Sequence, residues 1–259
     1  MFKRKDWIKN EYCWYYLSSN PAAIHVIQEN LHNVDWERLS LNPNAIHILT
    51  KNPEKIEWYN LSTNPAAMSI LEANQDKIHW SGLSKNPAAM SLLTKNQDKI
   101  NWYNLSENPS AIPLLTENPD KINWQMLSRN PAAIPLLTEN PEKINWYCLC
   151  ENTSALPLLT ANQDKIIWSI ACINPSVMPL LEQNPRHIHW GWLSKNPSAI
   201  HLLEKNINLV YWNMLSSNSA IFEYDYKKMK ETTNVFAEEL MANRFHPDNM
   251  GKFEDWGYE

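Results

Sequence analysis

Asn118 to Glu139 reads NPDKINWQMLSRNPAAIPLLTE, and these 22 residues recur, with substitutions but without insertion or deletion, from about Ile8 to Lys227. A tryptophan returns ten times one period apart, from Trp14 through Trp124 to Trp212, and an asparagine keeps the same step from Asn20 through Asn130 to Asn218. A fixed period of this length signals a stacked-repeat architecture, in which no unit buries its apolar face alone.

Within one unit, Asn130-Pro131 marks a helix start. The asparagine side chain accepts an otherwise orphaned backbone N–H, and proline suits the first helical position. Ala133, Ile134 and Leu137 then share one face at helical spacing. Asn140 follows the last apolar turn and suits a left-handed helix end. This second helix of the unit, helix B, is expected to span about nine residues, Pro131 to Glu139. Pro113, Pro135, Pro157 and Pro179 fall inside it and each removes a backbone donor, so the middle units are expected to be distorted or shortened there. In the other half, Asn145 reads as the N-cap of a short helix A beginning at Trp146, with Ile144 positioned as a hydrophobic staple; the alternative starts helix A at the proline and gives a longer helix with Ile144 on its far side. The cap column is polar at Asp35, Asn101 and Asn123 but not at Ile167 or Tyr211.

The core follows as columns. Leucines recur from Leu61 through Leu127 to Leu193 and from Leu71 through Leu137 to Leu203, isoleucines from Ile56 through Ile122 to Ile188, and small alanines from Ala23 through Ala133 to Ala199. The fold class is therefore all-α: an α-solenoid, or superhelix, of about ten 22-residue two-short-helix repeats with a C-terminal helical cap. At a helix spacing of 8–10 Å, the stack is expected to be a rod or superhelix roughly 80–100 Å long. A leucine-rich-repeat fold shares the period, but the Asn-Pro-Ala-Ala openings favour helix and no unit shows its strand register. The domains read as an N-terminal cap segment over 1–7, with Phe2 and Trp7 covering the first unit's open edge, the repeats over 8–227, and a C-terminal helical cap over 228–259. In the last part Phe222, Tyr226, Met229, Thr233, Phe236 and Leu240 form one stripe of an amphipathic helix reaching about Asn243. Pro247 opens a second short helix carrying Met250 and Phe253. Around Cys148 to Pro175, where Asn152-Thr153 replaces Asn-Pro and Cys150 and Cys172 replace serine, a local irregularity is expected.

Net charge is −5 and only four glycines occur, so neither a polyanion-binding character nor a glycine-rich phosphate loop is indicated. No sequence pattern of a hydrolase, kinase or metalloprotease is present. The expectation is a non-enzymatic protein with no cofactor and no metal. Cys148, Cys150 and Cys172 lack ligand spacing and read as small buried thiols. The start, MFKRKDWIKN, has no apolar core of a secretory signal, no run approaches the ~20 apolar residues of a membrane span, and free thiols fit a reducing compartment. A cytoplasmic setting without membrane contact is therefore expected.

Ten phased indoles invite comparison with helical repeats that read single-stranded RNA. Yet a constant column suits a packing wedge better than a readout position. Each lysine of the ladder Lys55 to Lys165 also follows an acid, from Glu54 to Asp164. Protein partners are thus the leading expectation and single-stranded RNA the alternative. The column after tryptophan varies, with Tyr15, Tyr59, Tyr103 and Tyr147 in alternate units. Exposed, they would be posts roughly 16–20 Å apart, and tyrosine is enriched at binding hot spots. These four are the candidate partner-binding residues.

The phrase NPxAIxLLxxNPxKIxWxxLS, carried through nearly the whole repeat region, resembles tandem-repeat proteins encoded in many copies by giant DNA viruses of protists. The ending RFHPDNMGKFEDWGYE is similar to tails of such proteins. The resemblance implies a viral protein acting in the host cytoplasm, a viral factory or the virion. It brings no catalytic residues.

Overall fold

In the computed structural model, residues 2–8 and 11–239 are described, with the side chains of 2, 232 and 234–239 excepted. The architecture is an all-α repeat solenoid, as the periodicity predicts. Two compact units divide the chain: Trp7–Ile221, which holds the repeats, and Met1–Asp6 together with Phe222–Glu259.

Each repeat is two short α-helices joined by two tight 3-10 turns. In the sixth unit these are a turn at Pro119–Lys121, helix A at Trp124–Arg129, a turn at Pro131–Ala133 and helix B at Ile134–Glu139. The capping signals act as read from sequence: Asn145 accepts from the Cys148 N–H at the start of Trp146–Glu151, and Asn130 accepts from Ala132 N. The equivalent turn of the seventh unit is at Pro141–Lys143, so helix A begins at Trp146 and not at the proline. The turn absorbs the segment in which Ile144 and Trp146 could not share one helical face.

Two expectations need correction. Helix B is not shortened by its prolines, because Pro135 stands second in the α-helical segment, where no N–H is required, and that segment is six residues long with or without proline. Asn140 is not left-handed: its φ is −130°, and its side-chain amide instead donates back to the Leu136 carbonyl.

The leucine and alanine columns are fully buried, from Leu61 and Leu71 to Leu193 and Leu203. Ile56, Ile78, Ile100 and Ile166 are buried, whereas Ile122, Ile144 and Ile188 are only partly so. Between units the connection is polar. Each asparagine of the Asn-Pro column donates both amide protons to carbonyls of the preceding unit. One bond goes to that unit's own asparagine at 2.8–3.1 Å, the other to the residue two before it at 2.9–3.1 Å. Its oxygen caps its own turn. A serine ladder runs alongside: Ser128 Oγ donates to Trp124 O and accepts from Asn145 N of the next unit.

Both ladders continue across the ends of the repeat region. Asn20 donates to the carbonyls of Ser216 and Asn218, each at 3.1 Å, and Cys13 N donates to Ser216 Oγ at 3.0 Å. The first Asn-Pro turn packs on the last as the others pack on their neighbours. The ten units therefore close into a ring. The roughly 80–100 Å expected from helix spacing is a circumference and not the length of a rod. There is no open first edge for Trp7 to cover; its ring lies 6.2 Å from that of Trp212 in the tenth unit.

On a closed ring, elements that touch their counterparts lie at the smaller radius. Neighbouring A helices pack directly from the second to the fifth unit and from the sixth to the eighth, as do the Asn-Pro turns, which puts them on the inner side. Gly82 marks a close approach there: a Cβ would sit 2.7 Å from the carbonyl oxygen of Tyr59. The irregularity expected near Cys148 to Pro175 is confined to the turn after Asn152, and the asparagine ladder passes through it unbroken.

In the other unit, Phe2–Arg4 pairs antiparallel with Phe222–Tyr224, and Lys5 Nζ meets Glu223 at 3.1 Å. Phe222 thus belongs to a strand and not to the amphipathic stripe. The helix spans Tyr226–Glu239, with its first turn capped by the Asp225 carboxylate, which accepts from Lys228 N. Tyr226 and Met229 are exposed. Leu240, the extension to Asn243 and the segment from Pro247 lie outside the described residues.

Closure makes a quantitative prediction. In an open stack Asn20 has no preceding unit, and Asn20→Ala removes only a cap, about 1 kcal/mol. In the ring it also takes the side-chain donor from the buried Ser216 carbonyl, at about 1–3 kcal/mol, and leaves the Asn218 carbonyl with only the Ile221 N–H at 3.3 Å. Asn20→Ala is expected to lower the denaturation midpoint as much as Asn130→Ala does. A markedly smaller effect at Asn20 would open the ring.

Candidate functional site

The four candidate tyrosines stand on the first turn of helix A in the first, third, fifth and seventh units. They are exposed: Tyr15 at 41%, Tyr59 at 38%, Tyr103 and Tyr147 at 48%. They do not gather into one cluster. Tyr59 sits edge-on to His79 of the next unit at 5.8 Å, and Tyr15 edge-on to Tyr16 at 5.1 Å.

The tryptophans beside them are half-buried and do not belong to the closed core. Trp58 lies in a groove of about 360 Å³ with Thr50 and Ile70, which belong to two successive B helices, so it separates neighbours as a wedge. Each central indole is covered by a lysine of the following unit, from Lys55 over Trp36 at 5.1 Å to Lys143 over Trp124 at 4.3 Å and Lys165 over Trp146 at 4.7 Å. In the eighth unit His187 takes the place of lysine and stacks on Trp168 at 4.6 Å. The adjacent acids remain on the surface, and the lysines spend their charge on the indole faces.

That pattern lapses around the seam where tenth and first units meet. Leu209, Glu11 and Asn33 occupy the positions that would cover Trp190, Trp212 and Trp14. Ile207, Leu209 and Tyr211 are exposed at 43%, 44% and 58%. In the ninth unit Gly191 stands where the alternation calls for tyrosine, and a Cβ there would lie 3.1 Å from the His189 ring and 3.7 Å from that of Tyr211. A groove of about 850 Å³ results, lined by Trp190 and Gly191 of the ninth unit, Leu209 to Met214 of the tenth and Tyr16 of the first.

At the Tyr16 end two cations lie against aromatic rings. Lys195 Nζ lies 5.0 Å from the ring centre of Tyr16 and 5.3 Å from that of Trp192, and Arg38 lies 4.2 Å over Tyr15. Lys195 reaches Tyr16 past the whole tenth unit, which is possible only on the inner side of the ring. Among the described residues no carboxylate pairs with either cation, and the Arg38 Nε is buried without a hydrogen-bond partner. Elsewhere on the inner side charges alternate and pair, Lys85 with Glu107 at 3.1 Å and Arg129 with Glu151 at 2.9 Å. Burial, with the nearby charge of Arg38, holds the Lys195 ammonium below its usual pKa.

Cys150 and Cys172 are buried thiols in the serine column, accepting from Ile167 N and His189 N, and burial raises both pKa values. Among the described residues no group of three or more histidine, cysteine, aspartate or glutamate side chains is placed to hold a metal ion, and no helix is long and apolar enough to cross a membrane. No family model, curated protein or solved structure matches the chain. The functional reading therefore rests on the geometry alone.

Sequence reasoning located the exposed tyrosines but missed Tyr16, Arg38, Gly191, Lys195 and Tyr211. The available signal was the break in the tyrosine and lysine columns in the ninth and tenth units. What that break would meet was hidden until the first unit was known to lie beside them.

Trp124→Ala is expected to cost about 2–3 kcal/mol, below the 3–5 kcal/mol typical of a fully buried aromatic. Lys143→Ala should cost about 0.5–1 kcal/mol, through loss of the cation–π contact. The triple change of Tyr59, Tyr103 and Tyr147 to alanine should leave the melting curve within about 1 kcal/mol of wild type, as for exposed side chains. Thermal and chemical denaturation measure all three.

Proposed function

We propose that this protein is a non-enzymatic repeat scaffold that binds protein partners through side chains displayed on its ring. The observation that carries the reading is the exposure of Tyr15, Tyr59, Tyr103 and Tyr147 on helices held by ladders to which those tyrosine side chains contribute nothing. Such rigidly presented, amphipathic side chains lose little entropy on binding, which is why tyrosine recurs in interface hot spots. The surface offered is that of a closed ring, so partners are engaged around an arc and not along a rod. The resemblance of the repeat phrase to giant-virus proteins extends the proposal to a viral structural, replication-factory or host-adaptor role in the host cytoplasm or the virion.

Binding of single-stranded RNA is less well supported than the sequence alone suggested. Base stacking needs a free aromatic face, and six of the ten indoles carry a lysine ammonium over theirs.

Affinity capture with the tagged full chain from expressing cells, with and without nuclease, tests the reading. Proteins should remain bound after nuclease treatment, and the triple tyrosine variant should retain less of them. Loss of every partner on nuclease treatment would reject the protein scaffold in favour of nucleic acid.

A further inference from the structure

We propose that the groove at the seam is a docking site for an acidic peptide segment, whose apolar side chain lies against Trp190, Leu209 and Tyr211 and whose carboxylate meets Arg38 and Lys195. The proposal rests on the scaffold reading and names both a site and the chemistry of its partner.

The argument begins with charge. Two cations from the second and ninth units are brought together at the seam, each laid over an aromatic ring, and among the described residues no carboxylate pairs with either. Partial burial, with the Arg38 charge nearby, disfavours the charged form of Lys195 and holds its pKa below the usual value. The same column supplies acids where the fold alone is served: Glu107 lies between Lys85 and Arg129. An arriving carboxylate would relieve the repulsion and satisfy the guanidinium, whose planar fork matches a carboxylate through paired hydrogen bonds.

Shape and composition argue for a peptide. The groove is large enough, at about 850 Å³, for several side chains. Its bed is mostly aromatic and aliphatic, with His189, Asn208 and Asn213 as its other polar side chains, and Lys195 stands beside it against the Tyr16 ring. A polyanion would need a longer run of positive charge. It would instead meet the acids that precede each lysine, from Glu54 to Asp164, on a chain of net charge −5. One or two carboxylates joined to apolar side chains fit both parts of the site.

The full-length protein should be panned against a phage-displayed library of random 12-residue peptides, with the enriched sequences resynthesised and measured by fluorescence anisotropy. The expected consensus places Asp or Glu within a few residues of an aromatic or branched aliphatic residue. Converting that acid to its amide should weaken binding at least tenfold, and so should the Arg38→Gln/Lys195→Gln double variant. Its melting temperature should stay level or rise, because like charges have been removed. Gly191→Tyr should abolish binding by filling the groove while leaving both cations in place, which keeps the test open should the double variant fold poorly. Three results overturn the proposal: no enrichment, a consensus without acid, or affinity within twofold of wild type in both variants. A single-stranded oligonucleotide that displaces the peptides at lower concentration also overturns it. Failure here with nuclease-resistant partners still captured would reject the seam site alone and leave the scaffold reading standing.

Discussion

The ring depends on one carboxamide. At each Asn-Pro corner the asparagine oxygen caps its own turn while the two amide protons bind carbonyls of the unit before, and the residue is at most 2% exposed at all ten positions. Buried backbone carbonyls must be paired, and this side chain pairs two of them per joint while fixing the position of the next turn. Aspartate could still cap, but it would set a carboxylate against two carbonyl oxygens. Serine could cap but has too few donors. The chemistry leaves asparagine little substitute, and this accounts for its recurrence where proline itself gives way to Thr153 and Ser219.

A ladder in which every rung reaches backwards has a defect if the stack is open: the first asparagine amide donates to no carbonyl and the last carbonyls receive no asparagine amide. Open solenoids solve this with terminal caps. Here Asn20 finds Asn218 and Ser216, so neither end is left over. Closure requires an average turn of 36° per unit, which is 360° divided among ten units. The wedge form that supplies it is visible in the packing. A helices touch on the inner side, closely enough at Gly82 to exclude a methyl group, while tryptophan and its covering lysine fill the wider gap between B helices.

Local structure was legible because its causes are local. Asn130 capping and Asn145 capping, the fully buried leucines and the small alanines all follow from spacing and side-chain chemistry within one period. Pro135 was misjudged because a 3-10 turn precedes the α-helical segment, so the proline falls near a start and not in an interior. Closure was not legible for a different reason. The same 22-residue pattern serves an open superhelix or a ring, and the difference is a few degrees of rotation per joint summed over the chain. The lysine–tryptophan contact was missed for want of a rule linking residues 19 apart, since Lys143 was read against Glu142 beside it and not against Trp124.

This bears on where a function can be held in such a molecule. In a ring of equivalent joints every regular position already has structural work: Asn, Ser, Leu and Ala in the joints, Trp and Lys in the outer gaps. A binding feature can be added without weakening a joint only where the side chain is free, as at Tyr59, or where the regular element has been given up. The seam shows the second case on a larger scale. Three covering cations are absent there, a tyrosine is replaced by Gly191, and among the described residues Lys195 has no acid of the kind that pairs with Lys85 and Arg129 in its own column. Each departure forgoes a small stabilising contact, of about 0.5–1 kcal/mol for an exposed cation–π pair. They come from units far apart in the chain and become neighbours only because the ring closes. Closure therefore does more than remove two unsatisfied ends. It brings the first two and last two repeats together, and the proposed peptide site exists only in that juxtaposition.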